Sequence, residues 1–213
     1  MLFAFAQWRY VPEVLLELPS TIPAMILPDV TLFPGMMLPL YIFEPRYRRM
    51  LQDVMAGDRL FAVVMRHRDK PGEQPHSVCG IGLVRASIDN PDGTSHLFLL
   101  GLARARVRNV VPERPYPVLS ILPAPDEGES ESVRVAALAL KLKELVRRQP
   151  APDASPALQE LADHVATIDS APRLADLVAH TLIKDAVVRQ DLLSTFDTRD
   201  RLAKLVAFLM EKA

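Results

Sequence analysis

Hydrophobic and polar positions change rhythm about three-fifths of the way along the chain. Up to about residue 125 the apolar residues come in short runs. These are "PAMILP" (23–28), "MMLPLYIF" (36–43), "RLFAVVMR" (59–66), "SVCGIGLVRASI" (77–88), "SHLFLLG" (95–101), "ARVRNVV" (105–111) and "PVLSIL" (117–122). Short runs rich in β-branched residues predict strands rather than helices. Asp92-Gly93 in "DNPDGT" marks a hairpin turn between two of them. The recurrent prolines suit sheet edges and barrel corners.

One helix interrupts this half. "EPRYRRMLQDVMAGD" carries Pro45 in its first turn and Gly57 just past its end. Tyr47, Met50, Leu51 and Val54 fall on one face, and Arg46, Arg49, Gln52 and Asp53 fall largely on the other. Glu44 stands where the helix dipole favours negative charge. The predicted role is structural, a helix that plugs a barrel while its arginines solvate the outer face.

Beyond "PAPDEGESES" (123–132) the period becomes helical. Helices are predicted at 133–148, 157–168, 173–182, 185–196 and 199–212, with stripes Leu174, Leu177, Val178, Leu182 and Leu202, Leu205, Val206, Leu209. Ser170 and Asp197 are expected helix caps. The expected organisation is an N-terminal extension (1–18), a β-barrel unit (19–125), a linker (126–132) and a helical bundle (133–213).

Composition narrows the function classes. The formal net charge is -1, so no global field recruits nucleic acid or an anionic membrane. A single cysteine, Cys79, excludes an internal disulfide and suits a reducing cytoplasm. The apolar start "MLFAFAQWRYVPEVLL" has no basic residue ahead of its apolar run, and Pro12 and Glu13 cut that run short of a membrane span. It reads as an extra packing segment or a displaced start codon.

Catalytic motifs are missing. With 8 glycines there is no glycine-rich phosphate loop, and neither G-x-S-x-G nor H-E-x-x-H occurs. His76 with Cys79 is too small a set for structural zinc, so neither metal nor cofactor is expected. Lys184 and Ser194 lie ten residues apart on a helical pattern, too far for a Ser-Lys pair within one helix. Arg104, Arg106 and Arg108 alternate, which places them on one strand face as either an anion patch or an exposed barrel wall. Met25, Met36, Met37, Met50 and Met55 either fill the core or line an adaptable groove.

"PAMILPDVTLFPGMMLPLYIFEPRYRRMLQDVMAGDRLFAVV" resembles the opening of the LON domain, the amino-terminal substrate-recognition domain of ATP-dependent Lon proteases of peptidase family S16. "VCGIGLVRASIDNPDGTSHLFLLGLARARV", "PYPVLSIL" and "SAPRLADLVAHTLIKDAVVRQDLLSTFDTRDRLAKLVAFL" resemble its later segments in order, so the likeness covers about residues 19–211. It implies an α+β fold: a PUA-like β pseudo-barrel with one inserted helix, followed by a C-terminal α-helical bundle. The motifs of the Lon ATPase and of its Ser-Lys peptidase domain are missing from these 213 residues. The expectation is a non-catalytic polypeptide-binding module, similar to the stand-alone LON-domain proteins of bacteria. Its candidate groove comprises Phe33, Met36, Met37, Phe43, Glu44, Arg46 and Tyr47. The alternative is a small-ligand or nucleotide-derivative binder with a pocket between barrel and bundle.

Overall fold

The computed structural model of the protein describes residues 18–112, 115–128, 132–148 and 156–211. The expected N-terminal extension, apart from Leu18, lies outside these residues.

The β-rich half forms β1 (Thr21–Leu27), β2 (Met37–Ile42), β3 (Leu60–Met65), β4 (Val78–Asp89), β5 (Ser95–Val111) and β6 (Val118–Pro123), with α1 (Pro45–Met55) between β2 and β3. Seven strands were expected. The runs at 95–101 and 105–111 are one strand of 17 residues. Gly101 does not break the strand, because β4 and β5 stay paired from Val78↔Arg106 to Asp89↔Ser95. The sheet order is β2-β5-β4-β3-β1-β6, and a further β5–β6 pairing closes β5-β4-β3-β1-β6 on itself. β1 and β3 are parallel. Register shifts at Ile81/Gly82, Val84/Ala86 and Val107/Asn109 supply the bends that closure requires.

Alternation then assigns the two faces. Ile22, Ala24, Ile26, Ala62, Val64, Cys79, Ile81, Ala105, Leu119 and Ile121 come from all five closed strands and form one buried cluster, the barrel interior. Met25, Phe61 and Val63 point the other way and join Tyr47, Met50, Leu51 and Val54 of α1 in a second cluster. The helix therefore buries the predicted face, but against the outside of the barrel wall. Strand side chains fill the interior, with Leu18 ahead of β1 packed against them, so the expected plug is unnecessary.

The β1–β2 connection crosses β4 and β5 at close range. A Cβ on Gly80 would lie 2.0 Å from the Leu32 carbonyl oxygen, and one on Gly101 would lie 2.1 Å from that of Phe33. Glycine is required at both positions because a neighbouring backbone occupies the side-chain space. This crossing carries Phe33 and Met36 out of the barrel and into the core of the helical half.

That half comprises α2 (Val133–Arg147), α3 (Pro156–Ala166), α4 (Ala171–Leu182), α5 (Ala186–Ser194) and α6 (Thr198–Glu211). Both predicted stripes pack in its core. Ser170 accepts from Arg173 N–H at 3.5 Å, and Asp197 Oδ1 accepts from Asp200 N–H at 2.9 Å, as expected of caps. Part of the anticipated linker is anchored. Glu127 pairs with Asp197 as an isolated parallel bridge, and Asp126 makes ion pairs with Arg104 of the barrel and Arg201 of the bundle.

Candidate functional site

β2 ends the sheet, with β5 its only strand partner among the described residues. Gly101 N–H donates to Met36 C=O at 2.8 Å, and the register runs without shift from Met37↔Leu100 to Ile42↔Ser95. Antiparallel alternation therefore turns the backbone groups of Leu38, Leu40 and Ile42 toward β5 and those of Met37, Pro39 and Tyr41 toward the open edge. Proline is tolerated at this edge because the N–H it lacks would not face β5.

Side chains alternate with the same period. Ile42 is buried, with Leu38 and Leu40 packed at the margin of the α1 cluster. On the opposite face Tyr41 is 47% exposed and Phe43 58% exposed. Their rings stack at 5.8 Å between centroids, and Tyr41 stacks on His96 at 4.7 Å. Phe98 lies opposite Pro39, and beyond His96 the next strand presents Ile88, 67% exposed. The result is a strip of aromatic and apolar side chains, without carboxylate, ammonium or guanidinium, on the outer face of three strands.

The expected groove is thus rearranged. Phe33, Met36 and Tyr47 are buried and supply no open surface. The glycine crossing takes the first two into the bundle core. The Tyr47 hydroxyl accepts from Ile26 N–H at 3.2 Å and donates to Ile26 C=O at 3.3 Å. Met37 and Phe43 remain on the open face. The sequence reading missed Tyr41, His96, Phe98 and Ile88. Period-two counting through "MLPLYIF" groups Tyr41 with Met37 and Phe43, whereas His96, Phe98 and Ile88 require the inter-strand register.

Glu44 and Arg46 belong to a different cluster. Glu44 caps α1 through its backbone alone, with its carbonyl accepting from Arg48 N–H at 2.9 Å. Its carboxylate binds Arg46 Nε at 2.9 Å, and Glu73 grips the same guanidinium through two bonds of 2.5 and 2.8 Å. Arg46 also lies over the Tyr47 ring, 4.5 Å from its centroid. Its hydrogen bonds to Glu73 hold that carboxyl below its ordinary range, while burial raises the Tyr47 phenol. Arg46 and Glu73 edge a cleft of about 290 Å³ lined by Ile26, Val110, Val111 and Tyr116 among others. It lies where β1 and β6 diverge, and none of its lining residues comes from the helical half.

The arginine row divides. Arg104 is 3% exposed and does not belong to an exposed patch. Its Nε donates to Leu193 C=O at 3.1 Å, and its other nitrogens bind Asp126 and Asp176. Arg201, fully buried, meets Asp126 at 2.8 Å and Asp176 at 3.4 Å. Burial pushes the Asp176 carboxyl up, and the two guanidiniums pull against that shift. This balanced quartet occupies the junction where the small-ligand alternative had placed its pocket. Arg106 lies 4.1 Å over the Phe196 ring and 3.6 Å from Glu127, and Arg108 is exposed. Alternation identified the shared face of Arg104 and Arg106 but not the bundle packed on it.

No group of three or more metal-ligating side chains is gathered among the described residues. Cys79 faces the barrel interior, where burial pushes its thiol up to about 12. His76 stacks on His67 at 3.8 Å instead. No described helix is long and apolar enough to cross a membrane.

Comparison with known proteins follows the same outline. The family described as the ATP-dependent protease La (LON) substrate-binding domain matches residues 21–211. A Lon protease of Desulfosudis oleivorans is 32% identical over 201 residues, covering 89% of this chain and 24% of the relative. Lon protease 1 of Syntrophobacter fumaroxidans is 32% identical over 187 residues, covering 86% and 23%. The chain thus spans about a quarter of the length of these relatives. Among solved structures, the N-terminal domain of Mycobacterium avium complex Lon protease superposes with a TM-score of 0.73 at 18% identity, covering 91% of this chain and 100% of that one. A Lon N-terminal domain protein from Xanthomonas campestris gives 0.66 at 21% identity, covering 89% and 98%. The pseudo-barrel with its helical bundle is therefore the fold of Lon N-terminal domains, and the chain belongs to the LON substrate-binding domain family.

Proposed function

We propose that this chain is a non-catalytic, cytoplasmic module that recognises polypeptide segments, unfolded or presented by a partner protein, in quality control or proteolysis. The observation that carries this reading is the exposed strip of Tyr41, Phe43, His96 and Ile88 beside a strand edge with no second strand partner among the described residues. Rigid aromatic rings on a sheet give large contact area at low entropic cost, a property of recognition surfaces. No catalytic constellation accompanies the strip among the described residues. The burial of Arg104 removes one end of the basic row that a nucleic acid would need.

The test is fluorescence anisotropy of a labelled, permanently unfolded polypeptide titrated with the protein, without ATP, at low and moderate salt. The expected result is saturable binding that survives moderate salt, because a face without carboxylate, ammonium or guanidinium groups is little affected by screening. Tyr41→Ser with Phe43→Ser removes it. Absence of binding at high micromolar protein sinks the proposal.

A second reading has one observation behind it, the cleft beside Arg46 and Glu73. A small ligand seated there would raise the thermal midpoint of the wild type but not of Arg46→Ala, in a screen of metabolites.

A further inference from the structure

We infer that the edge of β2 facing away from β5, which has no strand partner among the described residues, takes an extended polypeptide segment as an added strand, with apolar side chains at every second residue. This inference rests on the polypeptide-binding reading and names its mode. The edge presents Met37 N–H and C=O, Pro39 C=O, and Tyr41 N–H and C=O, all turned from β5. An incoming strand satisfies these groups, and its alternate side chains extend the face already formed by Met37, Pro39 and Tyr41. On the neighbouring strands that face continues through Phe98, His96 and Ile88, and none of these six carries a carboxylate, ammonium or guanidinium. Complementary chemistry is apolar and uncharged.

The dimensions select a peptide over a second copy. Six residues of β2 span about 20 Å. One strand of that length offers far less than the ~800 Å² per partner of a stable protein interface. Two copies related by a twofold axis would also bring Pro39 near Pro39 at the centre of the edge, deleting donors on both sides. A single foreign strand loses only one hydrogen bond to Pro39.

The probe is a fluorescein-labelled eight-residue peptide of alternating leucine and threonine, synthesised with a single N-methyl group at each position in turn. N-methylation deletes one backbone donor and adds bulk where it stood. Strand addition predicts a period-two pattern: roughly tenfold loss at alternate central positions and less than about threefold at their neighbours. Pro39→Val restores the missing donor and is expected to tighten binding of the unmodified peptide a few fold. A flat N-methyl profile with binding retained, and no gain from Pro39→Val, overturns strand addition but leaves polypeptide recognition standing. If unfolded polypeptides bind and the peptide does not, strand addition is again overturned. If neither binds, the underlying reading fails with it.

Discussion

Asp176→Asn should be among the most damaging near-isosteric substitutions in this chain. Asp176 is buried between Arg104 and Arg201, and Asp126, 32% exposed at its side chain, touches both guanidiniums. Two positive and two negative charges balance there. Asparagine keeps the shape and removes one charge, leaving two buried guanidiniums with one half-solvated carboxylate. Breaking a buried ion pair from one side costs about 3–5 kcal/mol, whereas an exposed pair is worth ~0–1 kcal/mol. The two ranges do not overlap. Urea unfolding followed by circular dichroism would read the loss as a fall of roughly 2 M in midpoint, for a slope of ~2 kcal/mol/M. Arg201→Met in the Asp176→Asn background restores the balance, with Arg104 facing Asp126. The double variant should therefore lose less than the sum of its single losses. An Asp176→Asn loss under about 1 kcal/mol, or strict additivity, would refute the view that this quartet fixes the barrel against the bundle.

Other outcomes follow from the same structure. Gly101→Ala should abolish folding, because its Cβ would lie 2.1 Å from a carbonyl oxygen; soluble, cooperatively unfolding protein would contradict the crossing. Cys79, with its thiol pushed up to about 12, should resist alkylation in the native state and react fully in urea. His76 and His180 are held below their ordinary range, chiefly by burial, so the unfolded state binds more protons. Their contribution is complete above the unfolded value of ~6.5 and is lost as pH falls below it, so the thermal midpoint should drop on acidification. A His180→Asn variant should flatten that slope, and an unchanged slope would exclude the residue. Phe33→Ala should cost about 3–5 kcal/mol without lowering polypeptide affinity in the folded protein, and Phe43→Ser should do the reverse.

The fold was legible where patterns are local. The α1 face of Tyr47, Met50, Leu51 and Val54, the two leucine stripes, and the caps Ser170 and Asp197 all follow from spacing within one element. The site was legible only in part, because burial depends on what packs from a distance. "LFPGMM" looks like a continuous apolar surface, yet three residues after Leu32 and Phe33 cross the glycine positions the chain reaches the edge of β2. Met36 is then buried and Met37 is not. Arg104 and Arg106 alternate as a solvated strand face would, but Asp176 meets Arg104 from a helix 72 residues later. Tyr41 and Phe43 were within reach of simple alternation. Their partners His96, Phe98 and Ile88 become visible only with the register of β2, β5 and β4.

Amide hydrogen exchange of the protein with and without a saturating unfolded polypeptide tests the central claim most directly. The account predicts new protection at Met37 and Tyr41, the two edge residues with donors turned from β5, and little change around Arg46 and Glu73. Protection centred on the Arg46–Glu73 cleft, with β2 unchanged, would contradict it.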